Sequence, residues 1–187
     1  LEIIQQPNRA RMCGFGEKDR RPIDPPPILQ LFVPEGTKGP ADISSFVVHA
    51  SIWCPTGEDA GLVSQPTTQA INNNNGGGSA NDNLAFHRNL VGFTLSSAQR
   101  LKGLDGKPGI FFPFPDMSVR TEGTFKLRFV LINMKDSLNA AAESPVLADV
   151  ISAPFQVYSA KKFPGMSNST DISKHFAQQG VRINIRK

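Results

Sequence analysis

Five cationic side chains fall within thirteen residues near the start of the chain: Arg9, Arg11, Lys18, Arg20 and Arg21. Arginine suits DNA binding, because its planar guanidinium can donate two parallel hydrogen bonds to a phosphate or to a guanine edge. Gly14, Gly16 and Pro22 in the same stretch predict a loop rather than a helix or strand. A loop at one end of rigid sheets can enter a major groove, so this segment is a candidate DNA contact. The alternative is a solvated surface loop, whose charge Glu17 and Asp19 partly neutralise.

The distribution of charge along the chain is uneven. The net charge of the 187 residues is only +4, but residues 1–21 carry +2, residues 155–187 carry +5, and the residues between them carry −3. Two basic ends around an acidic middle indicate an anion-binding surface, provided that both ends fold to the same side. Ordinary solubilising charge is the other interpretation, and the sequence leaves both open. Lys161 and Lys162 are the candidate contacts in the second basic region, ahead of Arg182, Arg186 and Lys187.

Residues for catalysis or metal binding form no recognisable pattern. None of the three histidines, His49, His87 and His175, lies at metal-ligand spacing from another histidine or a cysteine. The two cysteines, Cys13 and Cys54, are far apart and belong to no pair motif, and nucleophile-elbow and phosphate-loop sequences are missing. We therefore expect no enzyme, no metal, no cofactor and no small-molecule substrate. No apolar run approaches the ~20 residues of a membrane-spanning helix, so we expect no membrane partner.

Short runs of β-forming residues recur between prolines and glycines. The clearest alternation runs from Phe125 to Ile132, where the odd positions are predicted to face a core and Lys126 and Arg128 to face water. The other predicted strands are Ile28–Val33, Phe46–Trp53, Val181–Arg186 and, with weaker patterns, Leu90–Leu95, Ile110–Phe114 and Ala153–Val157. Thirteen of the fifteen aromatic residues are phenylalanine, which has no polar tip and so predicts core rather than exposed stacking platforms.

One helix is predicted, near the end of the chain. Thr170 is a suitable N-cap, Ile172 and Phe176 lie one turn apart, and Gly180 stands where a glycine C-cap belongs. About seven short strands with one helix favour a mainly β fold, an immunoglobulin-like sandwich. We expect residues 1–187 to form one domain, with residues 72–83, rich in Asn and Gly, as a disordered insertion between strands.

Several blocks of the sequence resemble the velvet domain of fungal developmental regulators. The first is QQPNRARMCGFGEKDRRPIDPPP, which covers residues 5–27. The others are FF at 111–112, PDMSVR at 115–120, EG at 122–123, FPGM at 163–166, ST at 169–170, FA at 176–177, QGV at 179–181 and IRK at 185–187. These blocks span nearly the whole chain in the family's order, while residues 56–83 match none of them.

The velvet resemblance implies a fold akin to the Rel-homology, immunoglobulin-like domain, with loops at one end contacting double-stranded promoter DNA. It also implies homodimers or heterodimers with other velvet proteins, and nuclear action on development, sporulation and secondary metabolism, with shuttling to the cytoplasm left open. Residues 9–14 resemble the Rel recognition loop, which implies Arg9 and Arg11 as base or phosphate contacts, base reading first, and Cys13 as a thiol at the DNA surface. Lys18, Arg20 and Arg21 would then be phosphate anchors. A protein-interaction module that regulates transcription through a DNA-binding partner is the alternative function, and a small buried residue is the alternative for Cys13.

Overall fold

The computed structural model of the chain describes residues 1–16, 20–32, 42–66, 84–137 and 146–186. Fourteen β-strands lie within these ranges: β1 Glu2–Gln5, β2 Arg9–Arg11, β3 Ile28–Leu31, β4 Phe46–Trp53, β5 Leu62–Pro66, β6 Leu84–Arg88, β7 Leu90–Gly92, β8 Leu95–Ser97, β9 Gln99–Lys102, β10 Pro108–Pro113, β11 Met117–Val119, β12 Gly123–Asn133, β13 Val146–Ile151 and β14 Phe155–Tyr158. The two helices in the same ranges are α1 Met134–Ser137 and α2 Asp171–Gln178. The predicted insertion at residues 72–83 lies outside the described residues.

Two sheets dominate the architecture. The first has four strands in the order β1-β3-β10-β9, and the second has the order β2-β14-β12-β4-β8, with β13 also paired to β12. The strand pairs β11/β7 and β5/β6 form two smaller ribbons. Among the described strands, every pairing is antiparallel except that of β2 with β14, which is parallel.

The alternation along β12 places its apolar side chains in the main core. Phe125, Leu127, Phe129 and Leu131 are all buried, as their period of two predicts. They share one hydrophobic cluster with Phe112 of the four-stranded sheet, so the inner faces of the two sheets pack against each other. The predicted mainly β sandwich is therefore confirmed, while the immunoglobulin-like strand arrangement stays a prediction.

Helix α2 covers the outer face of the four-stranded sheet. Phe111 points away from the main core and meets Phe176 of α2 edge to face, with ring centroids 4.9 Å apart. Thr170 caps the helix, because its Oγ1 accepts a hydrogen bond from the Ser173 backbone N–H at 3.3 Å. Gly180 has the positive φ of 95° that a C-terminal cap requires. The predicted helix is confirmed, and α1 is an additional single turn that the sequence did not indicate.

The predicted strand at Val181–Arg186 is wrong. Val181 is buried and Ile183 is half-buried, so the alternation does reflect one face packed near Phe176. The backbone of Arg186, however, bonds to Ser169: its N–H donates to Ser169 Oγ at 2.8 Å and its carbonyl accepts from the Ser169 N–H at 3.2 Å. This segment is thus held by side chains and a loop instead of a sheet.

Candidate nucleic-acid interface

Strand β2 carries the first two predicted contacts, Arg9 and Arg11. Ala10 between them is fully buried in the main core, so the alternation along β2 directs both arginines to the outer face of the sheet. Their partners across the parallel pair with β14 are Gln156 and Tyr158. The prediction of a loop is therefore wrong for Arg9–Arg11. These residues form a short strand, because Ala10 packs in the core and β14, distant in sequence, pairs with them.

The C-terminal ends of β2 and β14 lie side by side at one end of the sheet, because parallel strands run in the same direction. The Met12 backbone N–H donates to the Tyr158 carbonyl at 2.8 Å, which joins the two strand ends. A turn then follows β14, closed by a hydrogen bond from the Lys162 N–H to the Ser159 carbonyl at 3.1 Å. We call the region formed by Arg11, Lys161 and Lys162 the cationic edge.

The lysines of the cationic edge are available to a ligand. Lys161 and Lys162 are both exposed, and no ion pair within the described residues uses either of them. The rings of Tyr158 and Phe163 pack with centroids 6.3 Å apart on either side of the turn that carries the lysines. The fold therefore brings part of the first basic segment next to part of the second, as the uneven charge distribution suggested.

The loop Met12–Gly16 continues β2 beyond the sheet and follows the backbone near β11. The Cys13 N–H donates to the Val119 carbonyl at 2.9 Å, and the Gly14 N–H donates to the Arg120 carbonyl at 3.1 Å. Gly14 has a φ of 62°, which side-chain-bearing residues seldom adopt, so glycine suits the turn at this point. We call Met12–Gly16 the contact loop.

Arg120 is a residue of this region that sequence reasoning missed. Its guanidinium donates from Nη1 to the Gly14 carbonyl and from Nε to the Arg88 carbonyl, each at 2.9 Å. It also lies over the Phe15 ring, 5.8 Å from the centroid, and that ring packs against His87 at 5.1 Å. Only its place in the PDMSVR block pointed to Arg120, because both hydrogen-bond acceptors are backbone groups distant in the chain.

Cys13 lies half-buried in the contact loop. Burial raises the pKa of its thiol, and the positive charges of Arg120 and Arg20 partly oppose this rise. The Sγ atom lies 3.6 Å from the Gly14 carbonyl oxygen, a weak hydrogen bond. Cys13, Arg20 and Arg120 line an open pocket of about 350 Å³. The thiol is thus next to the predicted DNA contacts, and at neutral pH it is protonated.

Of the second half of the predicted segment, the structure describes Arg20, which lines this pocket, and Arg21. Arg20 forms an ion pair with the Asp116 carboxylate, and both side chains are a little over one-third exposed. The Arg21 carbonyl accepts a hydrogen bond from Ser118 Oγ at 2.7 Å, which attaches the segment to β11. Lys18 lies outside the described residues, as do Glu17 and Asp19.

Arg186, ranked last among the predicted contacts, is part of a buried ion pair. Its Nη2 donates to Asp24 Oδ1 at 2.7 Å, and Asp24 is only 1% exposed. The second carboxylate oxygen of Asp24 accepts from the Ser167 N–H at 2.6 Å. The interpretation of Arg186 as a solvated charge is therefore wrong, and the ion pair with Asp24 disfavours a contact between Arg186 and DNA. Arg182 is exposed, and Lys187 lies outside the described residues.

Within the part of the chain that the structure describes, no three His, Cys, Asp or Glu side chains could hold a metal ion together. His87 packs on Phe15 and His175 lies on α2, while His49 is on the outer face of β4. Burial, together with the charge of Arg88, lowers the pKa of His49. None of the helices in the described ranges has the length and apolar character needed to cross a membrane.

Comparison with known proteins identifies the family. The sequence matches the family described as Velvet factor over residues 1–82 and 63–187. It is 33% identical to a velvet complex protein of Emericella nidulans, over 100% of this chain and 78% of that protein. It is 37% identical to the sexual development regulator umv3 of Mycosarcoma maydis, over 100% of this chain and 44% of that protein. Velvet complex subunit 2 of Gibberella moniliformis is 32% identical, and the chain spans 60% of it. The resemblance drawn from the sequence blocks is thereby confirmed.

Proposed function

We propose that this chain, which belongs to the velvet factor family, binds double-stranded DNA through the cationic edge and the contact loop. The observation that supports this most directly is the parallel pairing of β2 with β14, which brings Arg11 beside Lys161 and Lys162. These cations come from opposite ends of the chain, and the phosphate backbone of DNA binds to clustered Lys and Arg side chains of this kind.

Each predicted contact has a proposed part in this complex. Arg9 and Arg11 project from a sheet, so their backbone is fixed, and we assign them to base edges or phosphates in the groove. Lys161 and Lys162 on the exposed turn, with Lys18, Arg20 and Arg21, are assigned to phosphates. Arg20 must exchange its Asp116 partner for a phosphate, so its contribution is the smallest of these.

The names of relatives support the proposed biological role. Relatives of this chain are named velvet complex subunits and sexual development regulators. We propose that the protein acts in the nucleus as a homodimer or as a heterodimer with another velvet protein. Its regulated processes would be fungal development, sporulation and secondary metabolism. We propose no catalytic activity for it.

A salt titration tests DNA binding directly. A duplex selected from a random pool by the purified chain is titrated by fluorescence anisotropy at several KCl concentrations. If all seven assigned cations meet phosphate, the logarithm of the binding constant falls against the logarithm of salt with a slope of roughly −6.3. These cations are Arg9, Arg11, Lys18, Arg20, Arg21, Lys161 and Lys162. The variant Arg9→Gln with Arg11→Gln should flatten that slope and reduce the preference for the selected duplex over a scrambled one.

Lys174→Gln is the matched control for the salt titration. Lys174 is an exposed cation on α2, on the far side of the four-stranded sheet from β2 and β14. Its loss removes one charge from the molecule but none from the proposed interface, so the slope should stay unchanged. A wild-type slope near zero would remove the cationic edge from the proposal, and equal effects of the control and the double variant would remove Arg9 and Arg11 from it.

A protein-interaction module is the second candidate function. Several side chains on the outer face of the six-stranded sheet are apolar and more than half exposed, among them Leu95, Val146 and Ile151. Such a face is available for pairing with another protein. The two functions separate when the chain is titrated onto the selected duplex alone and then with a second velvet protein. Binding that requires the second protein favours the interaction module.

A further inference from the structure

We propose that Arg120 is a positioning residue for DNA binding, which fixes the contact loop in one conformation without itself contacting the DNA. The proposal rests on the proposed function, because the contact loop matters to DNA only if this end of the molecule binds it. On the basis of charge alone, Arg120 would be grouped with the phosphate contacts, but its proposed role is to hold the contact loop in place.

The backbone of Arg120 is anchored by a buried polar residue. Asn89 is 1% exposed, and its backbone carbonyl accepts the Arg120 N–H at 2.9 Å. The Asn89 side-chain oxygen accepts both the N–H and the hydroxyl of Thr121, at 3.2 Å and 3.0 Å. A buried group with all these bonds satisfied holds its neighbours rigidly. Arg120 therefore starts from a fixed position, and its side chain can transmit that position to the loop.

The side chain of Arg120 joins two parts of the chain that are distant from each other in sequence. Its Nη1 bonds to the Gly14 carbonyl of the contact loop, 106 positions away, and its Nε bonds to the Arg88 carbonyl at the end of β6. The Gly14 N–H in turn donates to the Arg120 carbonyl, so residue and loop are joined by reciprocal bonds. The Phe15 ring lies against the guanidinium.

This geometry requires a guanidinium and not merely a positive charge. Two different nitrogens of one planar group donate to two separate carbonyl oxygens. A lysine has one nitrogen at the end of a flexible chain and cannot reproduce the fork. A phosphate contact, in contrast, would be largely preserved by lysine. Arg120→Lys and Arg120→Gln thus distinguish positioning from direct binding.

The first test uses the Cys13 thiol and needs no DNA. In a Cys54→Ser background, the rate at which a small maleimide modifies Cys13 reports how often the contact loop opens. We expect Arg120→Lys and Arg120→Gln to raise this rate several-fold, since the half-buried thiol becomes accessible. Arg120→Gln also removes a charge that favours the thiolate, which by itself would slow the reaction. A wild-type rate in Arg120→Lys would overturn the proposal.

The second test measures DNA binding. Both variants should lose affinity and discrimination for the selected duplex while the salt slope stays at the wild-type value. A slope flatter by roughly 0.9 in Arg120→Gln, with near-normal affinity in Arg120→Lys, would show a phosphate contact instead and overturn the positioning role. If the wild-type chain binds no DNA, the proposed function fails, while the thiol rates still decide whether Arg120 holds the loop.

Two further variants protect these tests against simple unfolding. Phe15→Leu removes the ring beside the guanidinium and keeps both hydrogen bonds, so its thiol rate should lie between those of wild type and Arg120→Lys. Arg128→Lys is the matched control, because Arg128 packs over Trp53 and pairs with Asp149 on β4, β12 and β13 of the six-stranded sheet. An equal rise of the thiol rate in Arg128→Lys would mean that general destabilisation, and not the loss of the fork, opens the loop.

Discussion

The cationic edge and the segment Val181–Arg186 both carry basic residues, but the surroundings of their charged groups differ. Lys161 and Lys162 are exposed at the end of β14, and no described acid pairs with them. Arg186 lies against the buried carboxylate of Asp24, and its Nε donates to the Ser167 carbonyl at 3.2 Å. One region leaves its charged groups exposed, and the other uses its arginine to neutralise a buried acid.

The difference arises from the acid that each cation meets. Asp24 is removed from water, and a buried carboxylate is costly unless a cation and N–H donors compensate it. Arg186 and the Ser167 N–H supply that compensation. Nothing comparable faces the turn at Lys161 among the described residues. A cluster of basic residues in a sequence therefore predicts a binding surface only if those residues do not neutralise buried acids.

The largest effect is expected from Arg186→Met, which breaks the buried pair. Among the described residues, the Asp24 carboxylate then keeps only the Ser167 N–H, so the variant leaves a nearly unpaired charge inside the protein. We expect the free energy of unfolding to fall by about 3 kcal/mol, at the lower end of the range for such losses because Arg186 is partly exposed. Urea denaturation measures this change.

Lys161→Met is the matched control for the buried pair, since it removes an exposed cation of similar length. Its free energy of unfolding should stay within about 0.5 kcal/mol of wild type. Equal losses in Lys161→Met and Arg186→Met would contradict the contrast between the two regions. The salt slope of DNA binding should become flatter in Lys161→Met. It should keep the wild-type value in Arg186→Met, measured at a temperature at which that variant is folded.

A neutral polar network on the same side of the molecule should give the next largest effect. Gln5 is buried, and its amide donates to the Pro26 carbonyl at 2.7 Å and to Ser173 Oγ at 2.9 Å. Thr170, the N-cap of α2, donates to its Oε1. Gln5→Leu leaves these partners unsatisfied and should cost about 2 kcal/mol of unfolding free energy. Loss of helical circular dichroism before global unfolding would show that α2 detaches alone.

Gln6→Leu is the neighbouring control for Gln5. Gln6 is exposed, and its Oε1 accepts a hydrogen bond from the Ala153 N–H at 3.0 Å. Its replacement should cost less than half as much, because water can replace the lost acceptor. Equal losses of unfolding free energy in Gln5→Leu and Gln6→Leu would show that burial does not explain the effect of the Gln5 network.

Local alternation predicted the parts of the fold that depend on a few consecutive residues. The strands Phe46–Trp53 and Phe125–Ile132 are confirmed because their apolar period is long enough to outweigh other signals. The helix at Asp171 is confirmed because its cap, apolar face and terminal glycine lie within eleven residues. These features need no knowledge of distant partners.

Features that depend on distant partners were missed or misread. Arg9–Arg11 has one buried residue, Ala10, and becomes a strand only because β14 lies beside it. Val181–Arg186 has the alternation of a strand but bonds to Ser169 and Asp24. At the candidate site, Arg9 and Arg11 were predicted as contacts from residue type and from the resemblance to the velvet domain, and they stay a prediction. The role of Arg120 depends on two carbonyl oxygens that no sequence pattern specifies.

Lys161→Gln with Lys162→Gln tests the exposed side of the comparison. Removing two phosphate contacts should flatten the salt slope by roughly 1.8 and weaken DNA binding by about tenfold or more at moderate salt. The free energy of unfolding should not change, because both side chains are exposed. An unchanged slope would mean that the turn after β14 does not face the DNA, even if Arg11 does.

The smallest effect is expected at Arg20, which combines features of both regions: it lies near the contact loop, yet an acid already holds it. The Asp116 carboxylate pairs with Arg20 at the surface, where such pairs contribute little to stability, about 0–1 kcal/mol. Asp116→Asn should therefore leave the free energy of unfolding nearly unchanged while it frees Arg20 for a phosphate, and DNA binding should tighten by a few-fold.

Removing an acid near the DNA would tighten binding as well, so a double-mutant cycle is needed. Arg20→Gln should cost more affinity in the Asp116→Asn background than in wild type, because only there is the guanidinium free to bind phosphate. Equal costs in the two backgrounds would show that Asp116 does not restrain Arg20, and that a surface acid, unlike buried Asp24, does not decide what its arginine does.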